Sequence, residues 1–300
     1  MKSLPTSCYC LLFFYLAFGV VQADCQATDV QQRLRDQYEN KILIIRGFFS
    51  GNLLPYDPSG APLAETVPGD WTKDGFILVT DVQLSEQRLE IKARRLIVVS
   101  RGGELRFFAG TQKERTKKAP SLIIDVLLNS ARQAQAALAT IFLTPHDSLA
   151  DLVPGFWRPC LTGTNGRFSS EIQAVPGVPP PGNTSEAPTA QPEPPAGVYR
   201  VGGGITPPGV LFQKDPVFDE DARRAGYAGT VTLMLVVSEK GVPTNIHVAR
   251  PLGYGLDAKA VEAVQNWRFD PSRKDGQPVP VEIAVEVEFH LCGQESRCPQ

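Results

Sequence analysis

The sequence predicts an α+β protein of two domains joined by a Pro-rich linker. Three observations carry this reading: segments with period-two hydrophobic alternation, segments with helical apolar spacing, and one stretch between them that can build neither. That stretch, Val175 to Gly197, holds eight prolines and no aromatic or basic residue, so it reads as a semi-rigid spacer. The chain has 300 residues, 42% hydrophobic and 21% charged, a globular balance with enough apolar material for a sizeable core. With 30 Lys+Arg against 32 Asp+Glu the net charge is -2, which argues against nucleic acid as a partner, because phosphate binding needs a clustered cationic excess.

The N-terminus opens with Lys2 and then an apolar run, Cys10 to Val21, of 12 residues. Small residues follow at Val21-Gln22-Ala23, where a signal peptidase cuts, so residues 1–23 read as a signal peptide. An uncleaved anchor is the competing reading, although a spanning helix needs about 20 apolar residues. Removing residues 1–23 leaves Cys25, Cys160, Cys292 and Cys298, an even set of disulfide candidates in an exported chain. Three pairings are open, of which Cys25 to Cys160 with Cys292 to Cys298 is the economical one. No cysteine pair has C-x-x-C spacing, and His146, His247 and His290 fall in no ligand pattern, so neither a metal nor a cofactor is expected.

Residues 24–174 form the first expected domain, of unassigned role. Gln31 to Asn40 reads as a polar helix and Lys41 to Phe49 as a strand rich in branched and aromatic residues. Gly75 to Val82 and Arg88 to Ser100 read as strands, the second from Leu89, Ile91 and Ala93 alternating with charged neighbours. Arg101 to Glu104 turns into a strand from Leu105 to Ala109. Ser121 to Phe142 reads as one amphipathic helix, from Leu122, Val126, Leu127, Ala131, Ala134, Leu138 and Ile141. The basic run Lys113, Arg115, Lys117, Lys118 reads as a solvated loop.

Residues 175–197 are the linker, and 198–300 the second domain. There, Asp219 to Ala225 is a short helix with acids first and arginines last, matching the helix dipole, closed by Gly226. Thr230 to Val237 and Thr244 to Ala249 are strands joined by a turn at Glu239-Lys240-Gly241. Asp257 is expected to cap a helix whose apolar face is Ala260, Val261, Val264 and Trp267, with Pro271 fixing its end. From Val279 to Leu291, apolar residues alternate with Pro280, Glu282, Ala284, Glu286, Glu288 and His290, giving a strand with one core face and one solvent face. Part of so long a strand should lack a partner. The expected architecture is a small three-stranded antiparallel sheet with two helices on one face, and an exposed edge of the kind that accepts a strand from another chain.

Ala222 to Val231 (ARRAGYAGTV), Glu239 to Pro243 (EKGVP), Gly255-Leu256-Asp257 and Trp267 to Pro271 (WRFDP), in this order, resemble the TonB C-terminal domain over about residues 198–291. The resemblance implies a periplasmic protein whose partner is a short peptide segment of an outer-membrane TonB-dependent receptor, added as a strand to the sheet. It implies ExbB and ExbD type motor proteins as further partners if the N-terminus is retained. Position by position, it puts partner binding on Val281, Ile283, Val285, Val287 and Phe289. It adds Asp215, Pro216 and Phe218, where the family's Pro-x-Tyr-Pro stretch is replaced by Pro216-Val217-Phe218-Asp219. Gly229, Gly241, Trp267, Phe269 and Pro271 are the structural positions. The family's membrane anchor carries a His for engaging the motor, and this N-terminus has none, so a binding module is implied more directly than a transducer.

No Gly-x-Ser-x-Gly elbow, phosphate loop or His-Glu-x-x-His is present, and the reading is not an enzyme. The function expected is a periplasmic, TonB-like binding protein acting in transport across the outer membrane, anchored to the inner membrane if the signal is uncleaved. The rival is a cell-envelope scaffold that uses the same fold to self-associate, as in a homodimer.

Overall fold

A computed structural model describes residues 29–63, 66–101, 104–108, 121–144, 146–162 and 194–291. The expected signal peptide, most of the linker, the basic run at 113–118, Cys25, Cys292 and Cys298 lie outside them. The chain is α+β. The first region comprises α1 (residues 29–38), β1 (Ile42–Ile44), β2 (Leu53–Tyr56), α2 (Trp71–Asp74), β3 (Phe76–Leu84), β4 (Arg88–Arg101), β5 (Glu104–Phe108), β6 (Ser121–Leu127), α3 (Ala134–Ile141), α4 (Leu149–Leu152) and α5 (Arg158–Thr162). The second comprises β7 (Tyr199–Arg200), β8 (Gly209–Phe212), α6 (Glu220–Ala225), β9 (Gly229–Val237), β10 (Pro243–Arg250), α7 (Leu256–Val264), β11 (Arg268–Asp270), β12 (Arg273–Lys274), β13 (Gln277–Pro278) and β14 (Val281–Phe289).

The strands of the first region form one sheet in the order β1-β3-β4-β6-β2, with β5 paired to the far half of β4. The alternation read in β4 is real: Leu89, Ile91 and Ala93 are buried, and they meet Leu34 of α1 and Leu138 of α3 in one apolar core. The helix expected over 121–142 is corrected. Ser121 to Leu127 is strand β6, antiparallel to β4 and parallel to β2, and the α-helix begins only at Ala134. Leu122, Ile124 and Val126 are buried on one face, a period of two. Branched side chains favour that pleated surface, and Arg88 on β4 pairs across the strands with Asp125.

The sheet of the second region has four strands in the order β10-β9-β14-β7, one more than expected, because Tyr199 and Arg200 pair in parallel with Val281 and Glu282. Strand β9 turns Val231, Leu233, Leu235 and Val237 inward against Ala260 and Val264 of α7. Asp219 caps α6 by accepting from the backbone N–H of Asp221 and Ala222, and Gly226 ends it at φ 70°. The cap of α7 is Gly255, not Asp257, whose side chain is fully buried and serves the loop before the helix.

Packing crosses the stretch read as a linker. One core joins Trp71, Phe76, Val98 and Trp157 of the first region to Tyr227, Val248, Tyr254 and Leu256 of the second. Cys160, one of the four disulfide candidates, is a free thiol packed against this core, where burial and then the Asp257 charge push its pKa up to about 12.

Candidate functional site

The candidate site is the outer edge of β14. Nine successive residues, from Val281↔Val237 to Phe289↔Gly229, pair antiparallel with β9. The strand is therefore fully partnered on its inner side, and the expectation that its length exceeds its partner is corrected: it runs 281–289, matched by nine residues of β9. What lies open is the other side. There β7 covers only Val281 and Glu282, and among the described residues nothing pairs with the edge from Ile283 to Phe289.

The backbone direction along this edge follows from one bond. Tyr199 N–H donates to the Pro280 carbonyl at 3.0 Å, so residue 280 faces β7, and by strand alternation so do 282, 284, 286 and 288. The N–H and C=O groups of Ala284, Glu286 and Glu288 thus point out of the sheet at the open edge. Those of Ile283, Val285 and Val287 point toward β9.

The side chains obey the same period. Val281, Val287 and Phe289, read as partner-binding, are buried, while Ile283 and Val285 are half-buried. Ala284, Glu286 and Glu288 are exposed on the opposite face. These three, which the sequence reading left out, carry the open backbone groups; the signal for them was the position of β7, which no periodicity discloses. His290 Nε2 lies 2.7 Å from a Glu288 carboxylate oxygen.

Phe218 packs against the core at the last residue of β14, edge-on to Phe289 with ring centroids 5.4 Å apart. Pro216 is half-buried beside it and Asp215 is exposed. The segment is held from behind by Trp267, whose Nε1–H donates to the Lys214 carbonyl at 2.9 Å. Trp267 and Phe269 are buried core anchors, and Gly241 adopts φ +72° where a Cβ would fall 1.9 Å from the Phe269 carbonyl. Gly229 is the β9 partner of Phe289, and Pro271 is half-buried just past β11. His247, on β10, is distant in the sheet order from the open edge.

The first region docks on β10 and on the start of α6, next to Phe218. Helix α5 and the Gly155–Trp157 turn pack on β10, at the opposite side of the sheet. Beside them, Ser100 N–H donates to the Leu252 carbonyl at 2.9 Å and Tyr254 N–H to the Val98 carbonyl at 3.0 Å. Gly255 N–H donates to Thr72 Oγ1 at 2.8 Å, and Lys73 Nζ bridges Asp219 at 2.7 Å and Asp221 at 3.1 Å. Burial opposes the Lys73 charge, but the bonds to these two carboxylates outweigh it and hold the pKa above its ordinary value. Asp257 steadies the loop from inside, accepting from Leu252 N–H at 2.8 Å and Gly253 N–H at 2.6 Å. Burial pushes its pKa up to about 7.

An open sheet edge on a small helix-backed domain is the kind of surface that can accept a strand from outside. Residues 214–291 match the family model described as Gram-negative bacterial TonB protein C-terminal, and this part of the chain is a TonB-family C-terminal domain. Protein tonB2 of Pseudomonas aeruginosa is 33% identical over 84 residues, which are 28% of this chain and 31% of that protein. Protein TonB of Vibrio cholerae is 32% identical over 85 residues, covering 28% and 35%. Protein TonB of Xanthomonas campestris is 34% identical over 77 residues, covering 25% and 34%. This chain thus spans about a third of the length of these curated relatives. The solution NMR structure of the Pseudomonas aeruginosa TonB CTD aligns at 22% identity with a TM-score of 0.26, covering 33% of this chain and 94% of that one. Among the described residues no helix is long and apolar enough to cross a membrane.

Proposed function

We propose that this protein works in TonB-dependent transport, binding a peptide segment of an outer-membrane receptor by strand addition to β14 in the periplasm. The observation that carries this is the edge from Ile283 to Phe289, unpaired among the described residues, in a domain of the TonB C-terminal family. Backbone groups of Ala284, Glu286 and Glu288 make the ladder, and the segment of Asp215, Pro216 and Phe218, anchored on Phe289 at the end of β14, supplies further contact. The protein acts as a binding module, not a catalyst. Energy coupling through an ExbB and ExbD type motor requires a retained N-terminal anchor. Intact mass of the native protein distinguishes a chain that retains Met1 from one starting at Asp24.

Titration of the full chain with receptor N-terminal peptides tests the reading. Ala284→Pro removes an outward N–H and should weaken binding about tenfold or more, since a ladder hydrogen bond is worth about 1 kcal/mol and the ring also blocks approach. Ile283→Pro instead removes an N–H facing β9 and should unfold the sheet. Unchanged affinity in a folded Ala284→Pro protein excludes strand addition at this edge.

Self-association in an envelope scaffold is the second reading. It is favoured by β8, where Val210, Leu211 and Phe212 are 55%, 71% and 54% exposed in succession. Sedimentation of the wild type and of Leu211→Glu separates the two, because a receptor-binding monomer is indifferent to that change.

A further inference from the structure

The open edge has a chemical polarity that narrows what it can accept. On the exposed face of β14 the side chains beside the open backbone are Ala284, Glu286 and Glu288, following Glu282. On the other face they are Ile283 and Val285, half-buried. Among the described residues no side chain bonds Glu282 or Glu286, whereas Glu288 has only His290. The chain itself sets two residues along this edge: β7 puts Tyr199 in register with Val281 and Arg200 in register with Glu282, so a cation stands at the position opposite the first acid. A strand continuing along the edge meets the same alternation for the rest of its length.

Resting on strand addition at β14, we propose that the segment it recognises is amphipathic with a period of two. It carries basic residues two apart, which lie against Glu286 and Glu288, and apolar residues between them, which lie against Ile283 and Val285. Directly opposed charges on neighbouring strands attract and like charges repel, so an acidic segment of the same length is rejected. The acids thus act as the selector and the backbone as the adhesive.

The test uses the full chain and matched peptides of about seven residues, with Val at alternate positions and Lys, Gln or Glu at the others. The Lys peptide should bind roughly tenfold tighter than the Gln peptide at low salt, through two cross-strand charge pairs, with the Glu peptide weaker still. The double variant Glu286→Lys with Glu288→Lys, both on exposed positions where folding is not at stake, should invert the order. Ala284→Pro should weaken all three peptides equally. If the three bind alike in the wild type and all are lost in Ala284→Pro, strand addition stands and the charge selection is wrong. If the Lys peptide is preferred but Ala284→Pro changes nothing, the peptides are held by charge alone and the proposed edge is overturned.

Discussion

Asp257 shows how a single residue can be placed correctly in sequence and misassigned in role. Its position after Gly255-Leu256 suggests a helix cap, yet the carboxylate turns back to bind the N–H groups of Leu252 and Gly253, in the loop that touches β4. Its folded pKa is raised from 3.8 to about 7, so between those values the native state keeps a proton that the unfolded chain releases. Stability from this group is therefore fully present below 3.8 and lost as pH rises to about 7, at up to about 1.4 kcal/mol per pH unit. Urea unfolding at pH 5 and pH 7 should show this decline in the wild type and a smaller one in Asp257→Asn; equal declines would mean that Asp257 ionises normally. Gly253 belongs to the same contact. It has φ +89°, and a Cβ there would fall 2.2 Å from the Val98 carbonyl. Gly253→Ala should cost at least about 1–3 kcal/mol in unfolding free energy. The inward residues of β14 and the Trp267 anchor were readable because burial follows a period. The Asp257 contact was not, because it depends on the path of a glycine-rich loop.

Among the elements, the faces of strands were legible and their edges were not. Alternation in β4, β9 and β14 told which side chains go inward, and these are buried except Ile283 and Val285, which are half-buried. It could not tell which edge of β14 meets β9, so the residues offering free backbone groups emerge only with β7 in place. The stretch 121–127 was misread because Leu122, Val126 and Leu127 also fit a helical spacing. Its branched composition and the turn at Asn129-Ser130 were the competing signals. Helix α2, only four residues long, was not read as an element, yet it holds the two regions together through Thr72 and Lys73. Thr72 is fully buried, so Thr72→Val leaves the Gly255 N–H unpaired and should cost about 1–3 kcal/mol. Hydrogen exchange should then quicken at Gly255 and Tyr254 before it quickens in the middle of β3.

For the whole molecule, the composition foretold a core large enough for a 300-residue protein, and the structure divides it in two. One core lies between the first sheet and α1 with α3; the other is shared by both regions. The shared core predicts that Trp71 and Trp157, in the first region, and Trp267, in the second, report unfolding at the same urea concentration. The first region packs on β10 and on Asp219 beside Phe218, and among the described residues none of its strands pairs with β14, so the open edge is compatible with the assembled chain. The most direct test of the central claim is amide hydrogen exchange, read residue by residue, with and without a receptor N-terminal peptide. Strand addition predicts new protection at Ala284, Glu286 and Glu288, with Ile283, Val285 and Val287 already protected by β9. Peptide bound with no change at those three amides would contradict it.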